Sequence, residues 1–311
     1  MKLNNKFVII LVMVIMASIS LVSCGTDNVV NNNTILPEYN ENVVKIVTWN
    51  LKQFPLTNST ISELQYQIPQ LNADIIAIQE ITNTNYFDQL GIYLNDYSVL
   101  ASEHYIYDES NNDDDNYYNP ILGYIYNNDR VTVNDSYEIF ENDSRLFPRE
   151  PFIVDITWNN HDFIIINNHL KAGGDNSIDE WDAWDQEVRR RDALNALHSY
   201  IVEHFNNENV ILLGDFNDQF HESIETNVFT AFISDDNFVF ADLEMSLNSD
   251  DFSYPSWKSH LDHIIVNQNL IETFGNPLSG CYTIKYDKII SNYFRDISDH
   301  RPVIIELDYN N

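Results

Sequence analysis

Hydrophobic and polar residues alternate from Val43 onward in a pattern that predicts many strands and few helices. Apolar spacing typical of helices covers Ile61–Leu71 and Glu180–Phe205. No repeat or linker interrupts the chain between Val43 and Leu307, so we predict one α/β domain of packed sheets with helices outside. The predicted strands are Val43–Trp49, Asp74–Ile81, Ile121–Tyr126, Val131–Val133, Phe152–Trp158, Phe163–Asn167, Asn209–Leu213, Leu261–Val266 and Pro302–Leu307.

The N-terminus has the pattern of a secretory signal. Lys2 and Lys6 flank a short polar start, and an almost unbroken apolar run follows from Phe7 to Leu21. The run ends in Leu-Val-Ser and then Cys24, which resembles a bacterial lipobox, so Cys24 is the expected lipidation site. An ordinary signal peptide or an N-terminal membrane anchor are the alternatives. We predict a signal peptide over 1–23, a tether over 24–42 and one domain over 43–308.

Charge restricts the partners that the domain can hold. The chain carries 16 Lys+Arg against 48 Asp+Glu, a formal net charge of −32. This balance favours solubility and excludes a broad basic face, so a nucleic acid would have to be held by a few local cations and by metal. The acidic segment Asp108–Asn116 predicts a solvated surface loop rather than a metal site. Two cysteines provide no disulfide framework.

Polar residues of one chemical kind follow the predicted strands. Hard divalent cations prefer carboxylate and amide oxygens, and phosphodiester hydrolysis needs one group to deprotonate water and another to protonate the leaving oxygen. Each residue alone is more often a cap, a turn former or a surface histidine. Their combination predicts a catalytic site at a sheet edge. The residues are Asn50, Glu80, His169, Asp215, Asn217, Asp262, Asp299 and His300.

These residues lie in short motifs that resemble the endonuclease/exonuclease/phosphatase superfamily over about Val43 to Leu307. The most specific motifs are Gly-Asp-Phe-Asn at 214–217 and Ser-Asp-His-Arg-Pro at 298–302; the others are Thr-Trp-Asn at 48–50, Ile-Gln-Glu at 78–80, Asn-His-Leu at 168–170 and Leu-Asp-His at 261–263. The resemblance implies a four-layer α/β sandwich, in which two mixed β-sheets pack face to face with helices outside.

The resemblance also implies roles for the residues. Glu80, Asn50 and Asp299 correspond to the Mg²⁺ (or Mn²⁺) site, and His300 with Asp262 corresponds to the general base. His169 corresponds to the acid on the leaving-group side. Asp215 and Asn217 correspond to positioners of the phosphate and the nucleophile.

The middle of the chain is similar to the pancreatic deoxyribonuclease-like branch, in which Lys52 and Arg149 correspond to phosphate-contacting cations. Two departures stand out. Pro120 occupies the place of the glutamate that orients the acid histidine, and Leu51-Lys52 lacks the second acidic residue of abasic-site endonucleases. Gly173-Gly174 fits a phosphate approach or a plain turn. The arginines at 189–191 are expected to be structural or solvated.

The sequence therefore predicts a metal-dependent nuclease that acts on DNA or RNA and is held, as a monomer, at the bacterial cell envelope outside the cytoplasm. A phosphoesterase that acts on lipid or small-molecule phosphates, similar to a sphingomyelinase, is the alternative. A non-enzymatic surface binder is less favoured, because the full set of metal and histidine positions is present.

Overall fold

The computed structural model describes residues 36–103, 120–220, 223 and 226–310. The strands are β1 Val43–Phe54, β2 Ile75–Ile81, β3 Tyr97–Ala101, β4 Ile121–Asn127, β5 Val131–Glu138, β6 Phe152–Trp158, β7 His161–His169, β8 Val210–Asp215, β9 Phe238–Phe240, β10 Asp262–Asn267, β11 Gly280–Thr283 and β12 Val303–Asp308. The helices are α1 Thr60–Gln70, α2 Thr84–Tyr93, α3 Gln186–His204, α4 Thr230–Ile233, α5 Gln268–Phe274 and α6 Tyr293–Asp296.

The strands form two mixed sheets. One has the order β11-β12-β1-β2-β4-β3 and the other has the order β5-β6-β7-β8-β10-β9. In each sheet one central pair is parallel, β1 with β2 and β7 with β8, and the remaining pairs are antiparallel. The central strands are apolar along nearly their whole length because both of their faces are buried.

Three apolar clusters divide the fold into layers. The first fills the space between the two sheets and includes Ile46 and Ile165. The second packs α1 and α2 on the outer face of one sheet, and the third packs α3 on the outer face of the other. The predicted four-layer α/β sandwich is confirmed.

A polar network crosses the apolar layer between the sheets. Gln79 on β2 donates to Asn167 on β7 at 2.7 Å and to Thr48 on β1 at 3.0 Å. Asn167 donates in turn to the carbonyl groups of Ile78 and Gly123, at 3.0 and 3.1 Å. Because buried polar groups must find partners, this network sets how the two sheets align close to the ends of β2 and β7.

The third helix begins later than the predicted Glu180, and that prediction was wrong for residues 180–185. Asp185 is the N-cap, and its side chain accepts from the Val188 amide at 2.9 Å. Upstream, Asp179 and Asp182 accept from amides two residues later, at 3.0 and 2.8 Å. Such side-chain turns compete with helical hydrogen bonding and keep this segment a loop.

The predicted signal peptide, the lipidation site and the acidic loop Asp108–Asn116 lie outside the described residues. The described end of the predicted tether contacts the domain: the Asn72 side chain donates to the Pro37 carbonyl at 2.8 Å, and the Arg130 guanidinium lies 4.8 Å from the centre of the Tyr39 ring. Among the described residues, no helix has the length and apolarity needed to cross a membrane.

Candidate active site

The ends of the central strands bring the polar residues to one edge of the sandwich. In the register of the second sheet, Asp215 at the end of β8 lies beside both His169 of β7 and Asp262 of β10. In the first sheet, Asn50 of β1 pairs with Gln79, the residue before Glu80. Residues far apart in sequence therefore meet because their strands are neighbours.

The backbone at this edge is unusually constrained. A Cβ atom on Gly214, whose φ is +139°, would lie 1.9 Å from the Asn168 carbonyl oxygen, so only glycine permits β8 to pass β7 this closely. Lys52, Glu80 and Asn217 have positive φ values of 42°, 65° and 54°. Such conformations are costly for residues with side chains and often occur at functional sites.

Asn50 connects the carboxylates of the two sheets. Its amide nitrogen donates to Glu80 Oε1 at 3.1 Å and to Asp215 Oδ2 at 2.9 Å. Its amide oxygen accepts from the Lys52 backbone at 2.9 Å. In this arrangement Asn50 presents nitrogen to Glu80, so a metal bound through the Asn50 oxygen requires the amide to rotate.

His300 and Asp262 form a tight pair. His300 Nδ1 lies 2.7 Å from Asp262 Oδ2, and His300 Nε2 lies 3.9 Å from Asp215 Oδ2. Burial lowers the pKa of His300, but Asp262 above all, with Asp215 and Asp299, raises it to about 10. The pair therefore holds a proton on His300 and aims Nε2 toward Asp215.

His169 is buried in a different electrostatic setting. Burial first, then the charges of Arg149 and His300, hold its pKa well below the usual range, so its imidazole is neutral at neutral pH. His169 Nε2 lies 3.5 Å from Asp215 Oδ2. Its Nδ1 is buried without a hydrogen-bond partner among the described residues.

The two predicted phosphate-contacting cations lie at this edge in different ways. The Lys52 ammonium contacts Asp299 Oδ2 at 2.7 Å, which ties the predicted cation to a predicted metal ligand. The Arg149 guanidinium donates to the Leu170 carbonyl at 3.4 Å. Asn217 donates to that same carbonyl at 3.1 Å, and its backbone amide donates to Asp215 Oδ1 at 2.9 Å. The loop after β7 and the turn after β8 are thereby held together.

The donor set fits a hard divalent cation. Glu80 and Asp215 present carboxylate oxygens to the Asn50 amide, the Asp299 carboxylate is held by Lys52, and Glu80 and Asp299 stay partly accessible. Asp215, Asp262 and His300 also place ligand atoms within 4.8 Å of one another. His300 Nδ1 is engaged by Asp262, so we interpret that second group as a proton-transfer set rather than a metal site.

Three residues of this edge were missed by the sequence analysis. Tyr254 stacks on His300 with ring centres 4.5 Å apart. Ser298 donates to the Asn50 carbonyl at 2.5 Å and accepts from the His300 amide at 2.9 Å. The Ser253 hydroxyl accepts from the Asp262 amide at 3.1 Å. Ser298 lay inside a quoted motif, whereas nothing in the local pattern marks the other two.

Similarity to known proteins agrees with this geometry. Solved structures with similar folds include D. rerio TDP2 complexed with a single-strand DNA product, at 16% identity and a TM-score of 0.60, with 86% of this chain and 99% of that chain covered. The human Nocturnin catalytic domain with bound sulfate matches at 17% identity and a TM-score of 0.58, with 86% and 95% covered.

A Bacteroides vulgatus endonuclease/exonuclease/phosphatase matches at 17% identity and a TM-score of 0.60, with 86% of this chain and 99% of that chain covered. Identities this low establish the fold alone. No curated protein matches the sequence. The Endonuclease/Exonuclease/phosphatase family matches residues 47–300, a span that contains every residue of the edge described above. The chain belongs to the endonuclease/exonuclease/phosphatase family.

Proposed function

We propose that this protein is a divalent-metal-dependent phosphodiester hydrolase and that its substrate is nucleic acid. One observation carries the proposal: the tight His300–Asp262 pair, at 2.7 Å, directs its second nitrogen toward Asp215 within an edge that also holds Glu80 and His169. An imidazole whose tautomer is fixed by a carboxylate is suited to proton transfer with water. Family membership supports the same chemistry.

In the proposed reaction, the neutral form of His300, whose remaining proton on Nδ1 is held by Asp262, accepts the proton of the attacking water at Nε2. Asp215 and Asn217 orient the water and the phosphoryl group, because Asp215 lies between the two histidines. His169, neutral through burial, donates a hydrogen bond on the leaving-group side. Lys52 and Arg149 attract the phosphate at the rim of the edge.

A metal ion would be held by Glu80 and Asp299, with Asn50 after rotation of its amide. A bound divalent cation supplies charge that polarises phosphoryl oxygens and offsets the carboxylate field on His300.

A nucleic acid substrate is supported by the two cations at the edge and by the fold. One of the similar structures, TDP2 from D. rerio, is complexed with a single-strand DNA product. The net charge of −32 opposes the approach of a polyanion, so we expect weak and salt-sensitive binding.

Supercoiled plasmid incubated with the purified protein tests the proposal. Nicking is expected with Mg²⁺ or Mn²⁺ and not with chelator, and His300→Asn is expected to abolish it. His198→Asn is the matched control, because His198 also pairs with an aspartate, Asp235 at 2.9 Å, but is remote in the fold on α3. Full nicking after exhaustive chelation, or by the His300→Asn protein, would refute the mechanism.

A phosphodiester carried by a lipid is the second candidate substrate, and exposed tryptophans favour it. Trp181 and Trp184 are 97% and 54% exposed on the loop after His169, and Trp257 is 76% exposed on the loop before Asp262. Tryptophan favours membrane interfaces, because its apolar ring contacts lipid while its N–H donates to water. Release of a phosphorylated headgroup from sphingomyelin vesicles, without plasmid nicking, would favour this candidate over nucleic acid.

We further propose that Cys24 carries a lipid that holds the protein at the bacterial cell envelope outside the cytoplasm. The support is the Leu-Val-Ser-Cys sequence after an apolar run. Cells fed a radiolabelled fatty acid are expected to label the wild-type protein but not Cys24→Ala. Equal labelling of both proteins would exclude this anchor.

A further inference from the structure

A second histidine–aspartate cluster lies behind the proposed catalytic pair. Asp262 and His263 are consecutive on β10, so their side chains point to opposite faces of the sheet. His263 Nδ1 lies 2.6 Å from Asp242 Oδ2, and His260 Nε2 lies 3.0 Å from the same oxygen. The Ile264 amide donates to Asp242 Oδ1 at 2.9 Å. All three side chains of this cluster, Asp242, His260 and His263, are buried.

The partners determine where the protons are. The Ser253 amide donates to His260 Nδ1 at 3.1 Å, so that nitrogen carries no proton and His260 is neutral. His263 Nε2 lies 2.9 Å from the Asp218 carbonyl oxygen, which only accepts. Its Nδ1 faces a carboxylate, which also accepts. His263 therefore donates from both nitrogens and is an imidazolium.

The surroundings suit a buried cation. The rings of Phe216, Phe220 and Phe229 lie with their centres 5.5, 3.9 and 5.3 Å from that of His263. An aromatic ring stabilises a cation that lies over its face within about 6 Å. Although burial lowers the pKa of His263, Asp242 raises it above the usual value. The charged and titratable side chains around it among the described residues are Asp242, Asp262 and His260, while the Asp218 carboxylate is engaged by Arg190 at 2.7 Å.

This cation touches both elements that carry proposed catalytic residues. Its bond to the Asp218 carbonyl closes the turn that begins at Asp215 and contains Asn217. Through Asp242 and His260 it reaches Ser253, whose hydroxyl accepts from the Asp262 amide and whose carbonyl accepts from the Arg301 amide, next to His300, at 2.7 Å. Hydrogen bonds therefore connect the buried His263 both to the turn that carries Asp215 and Asn217 and to the Asp262–His300 pair.

We propose that His263 is a positioning residue, a buried imidazolium that sets Asp215 and Asn217 against the Asp262–His300 pair. The expected effect on turnover rests on the proposed hydrolase function, whereas the charge and contacts of His263 do not. A displacement of about 1 Å in such a site lowers turnover by up to about 100-fold.

Paired variants separate positioning from simple stability. His263→Phe leaves the Asp242 carboxylate buried with one donor fewer, and it is expected to lower both the melting temperature and turnover. The double variant His263→Phe with Asp242→Asn removes both charges and is expected to recover most of the melting temperature. Its kcat on bis(p-nitrophenyl) phosphate is expected to stay about 10- to 100-fold below wild type, with KM within about threefold.

The control is the corresponding double variant at the remote pair, His198→Phe with Asp235→Asn. His198 is also flanked by phenylalanines, Phe232 and Phe238, at 5.2 and 5.1 Å, but lies on α3. Its kcat is expected to equal that of wild type. Wild-type kcat in a folded His263/Asp242 double variant would overturn the positioning role.

A measurement on the full wild-type chain keeps the inference testable if the variants do not fold or if no hydrolysis is found. In ¹⁵N-histidine NMR at pH 8, the ring assigned to His263 through contacts with Phe220 is expected to show protons on both nitrogens. A single N–H, or a stoichiometric metal ion bound in place of these protons, would overturn the proposal. Absence of phosphodiesterase activity alone would refute only the proposed function.

Discussion

Asp215 and Asp242 are both buried aspartates beside histidines, yet their surroundings shift their pKa values in opposite directions. Asp215 is 2% exposed, its two histidines lie 3.5 and 3.9 Å away, and burial raises its pKa to about 6. Asp242 is 0% exposed, with histidine nitrogens at 2.6 and 3.0 Å. Although burial opposes it, His263 and the hydrogen bonds of both histidines hold the pKa of Asp242 far below the usual range.

The difference shows what burial does to a carboxylate with and without a charged partner in contact. At Asp242 both histidines and the Ile264 amide donate within 3.0 Å, so the buried carboxylate charge is compensated. At Asp215 the hydrogen bonds come from neutral amides, those of the Asn50 side chain and the Asn217 backbone at 2.9 Å, and the two histidines lie farther away, so burial outweighs them and raises its pKa. Buried groups with such shifted pKa values are typical of sites that bind and react.

The largest expected effect comes from removing the imidazole of the proposed catalytic pair beside Asp215. His300→Ala removes the imidazole that faces Asp215 and is expected to lower kcat about 10³-fold or more on bis(p-nitrophenyl) phosphate. The melting temperature is also expected to fall, because the buried Asp262 carboxylate loses its partner, so kcat is compared at a temperature at which both proteins are folded. Turnover near the wild-type value would show that the proton is transferred elsewhere.

Metal removal is expected to have a comparable effect. Chelator is expected to abolish hydrolysis, and Mg²⁺ or Mn²⁺ to restore it, because a bound divalent cation would supply the charge that polarises the phosphoryl oxygens. Binding to the folded state alone also raises the melting temperature with increasing metal concentration. Glu80→Gln is expected to lose that thermal shift, whereas Asp235→Asn keeps it. A shift unchanged in Glu80→Gln would place the metal elsewhere.

Stability is expected to respond in opposite directions at the two aspartates. Asp242→Asn leaves the buried His263 imidazolium without its counter-charge and costs about 3–5 kcal/mol in the free energy of unfolding. Asp215→Asn removes a carboxylate that burial disfavours and is expected to leave stability equal or higher while abolishing turnover. Urea unfolding at pH 7 measures both. Equal losses in the two variants would contradict the distinction.

The pH dependence of stability sharpens the same comparison. The pKa of Asp215 is raised to about 6 in the folded protein, so its contribution is full below about 4 and is lost as pH rises through 6. The lowered pKa of Asp242 gives a contribution that is present above 3.8 and lost as pH falls. The raised pKa of His263 adds stability that is full below 6.5 and lost at higher pH.

The free energy of unfolding of the wild type should therefore exceed that of Asp242→Asn by most between about pH 4 and 6.5. The amount by which the wild type is less stable than Asp215→Asn should shrink as pH falls from about 6 to 4. Urea midpoints at pH 3, 5 and 7 test both statements, and parallel curves for all three proteins would contradict them.

The smallest expected effect follows from changing Lys52, at the accessible rim of the site. Lys52→Met removes one cation and is expected to raise KM for DNA about tenfold at low salt and to reduce the salt dependence of binding by about one unit of slope. Hydrolysis of bis(p-nitrophenyl) phosphate should change less. An unchanged salt slope would mean that Lys52 serves only its ion pair with Asp299.

Much of the fold was predictable because the strands are regular and buried. The predicted ends of β2, β6 and β8 lie within two residues of the observed ends. The short strands β3, β9 and β11 and the helices α2, α4, α5 and α6 were not predicted, because their local patterns are too short or too polar for a periodic signal. The start of α3 was misplaced because a competing series of aspartate turns resembles helical spacing.

The predicted site residues gather at one edge, but their individual roles depend on contacts that spacing does not reveal. Asn50 turns its nitrogen toward Glu80, and Lys52 pairs with Asp299. Neither orientation follows from the motifs. Tyr254 is invisible in the local sequence because stacking on His300 depends on how the loop before β10 folds back.

The sequence by itself determined the alternation of strands, the chemical types at their ends and the family, because period and motif are local properties of the chain. Only the tertiary structure decided which carboxylates share donors, which histidine is charged and which is neutral. Those properties depend on distances of a few ångströms between residues that can lie over a hundred positions apart, such as Asn50 and Asp215. Burial then converts those distances into proton affinities.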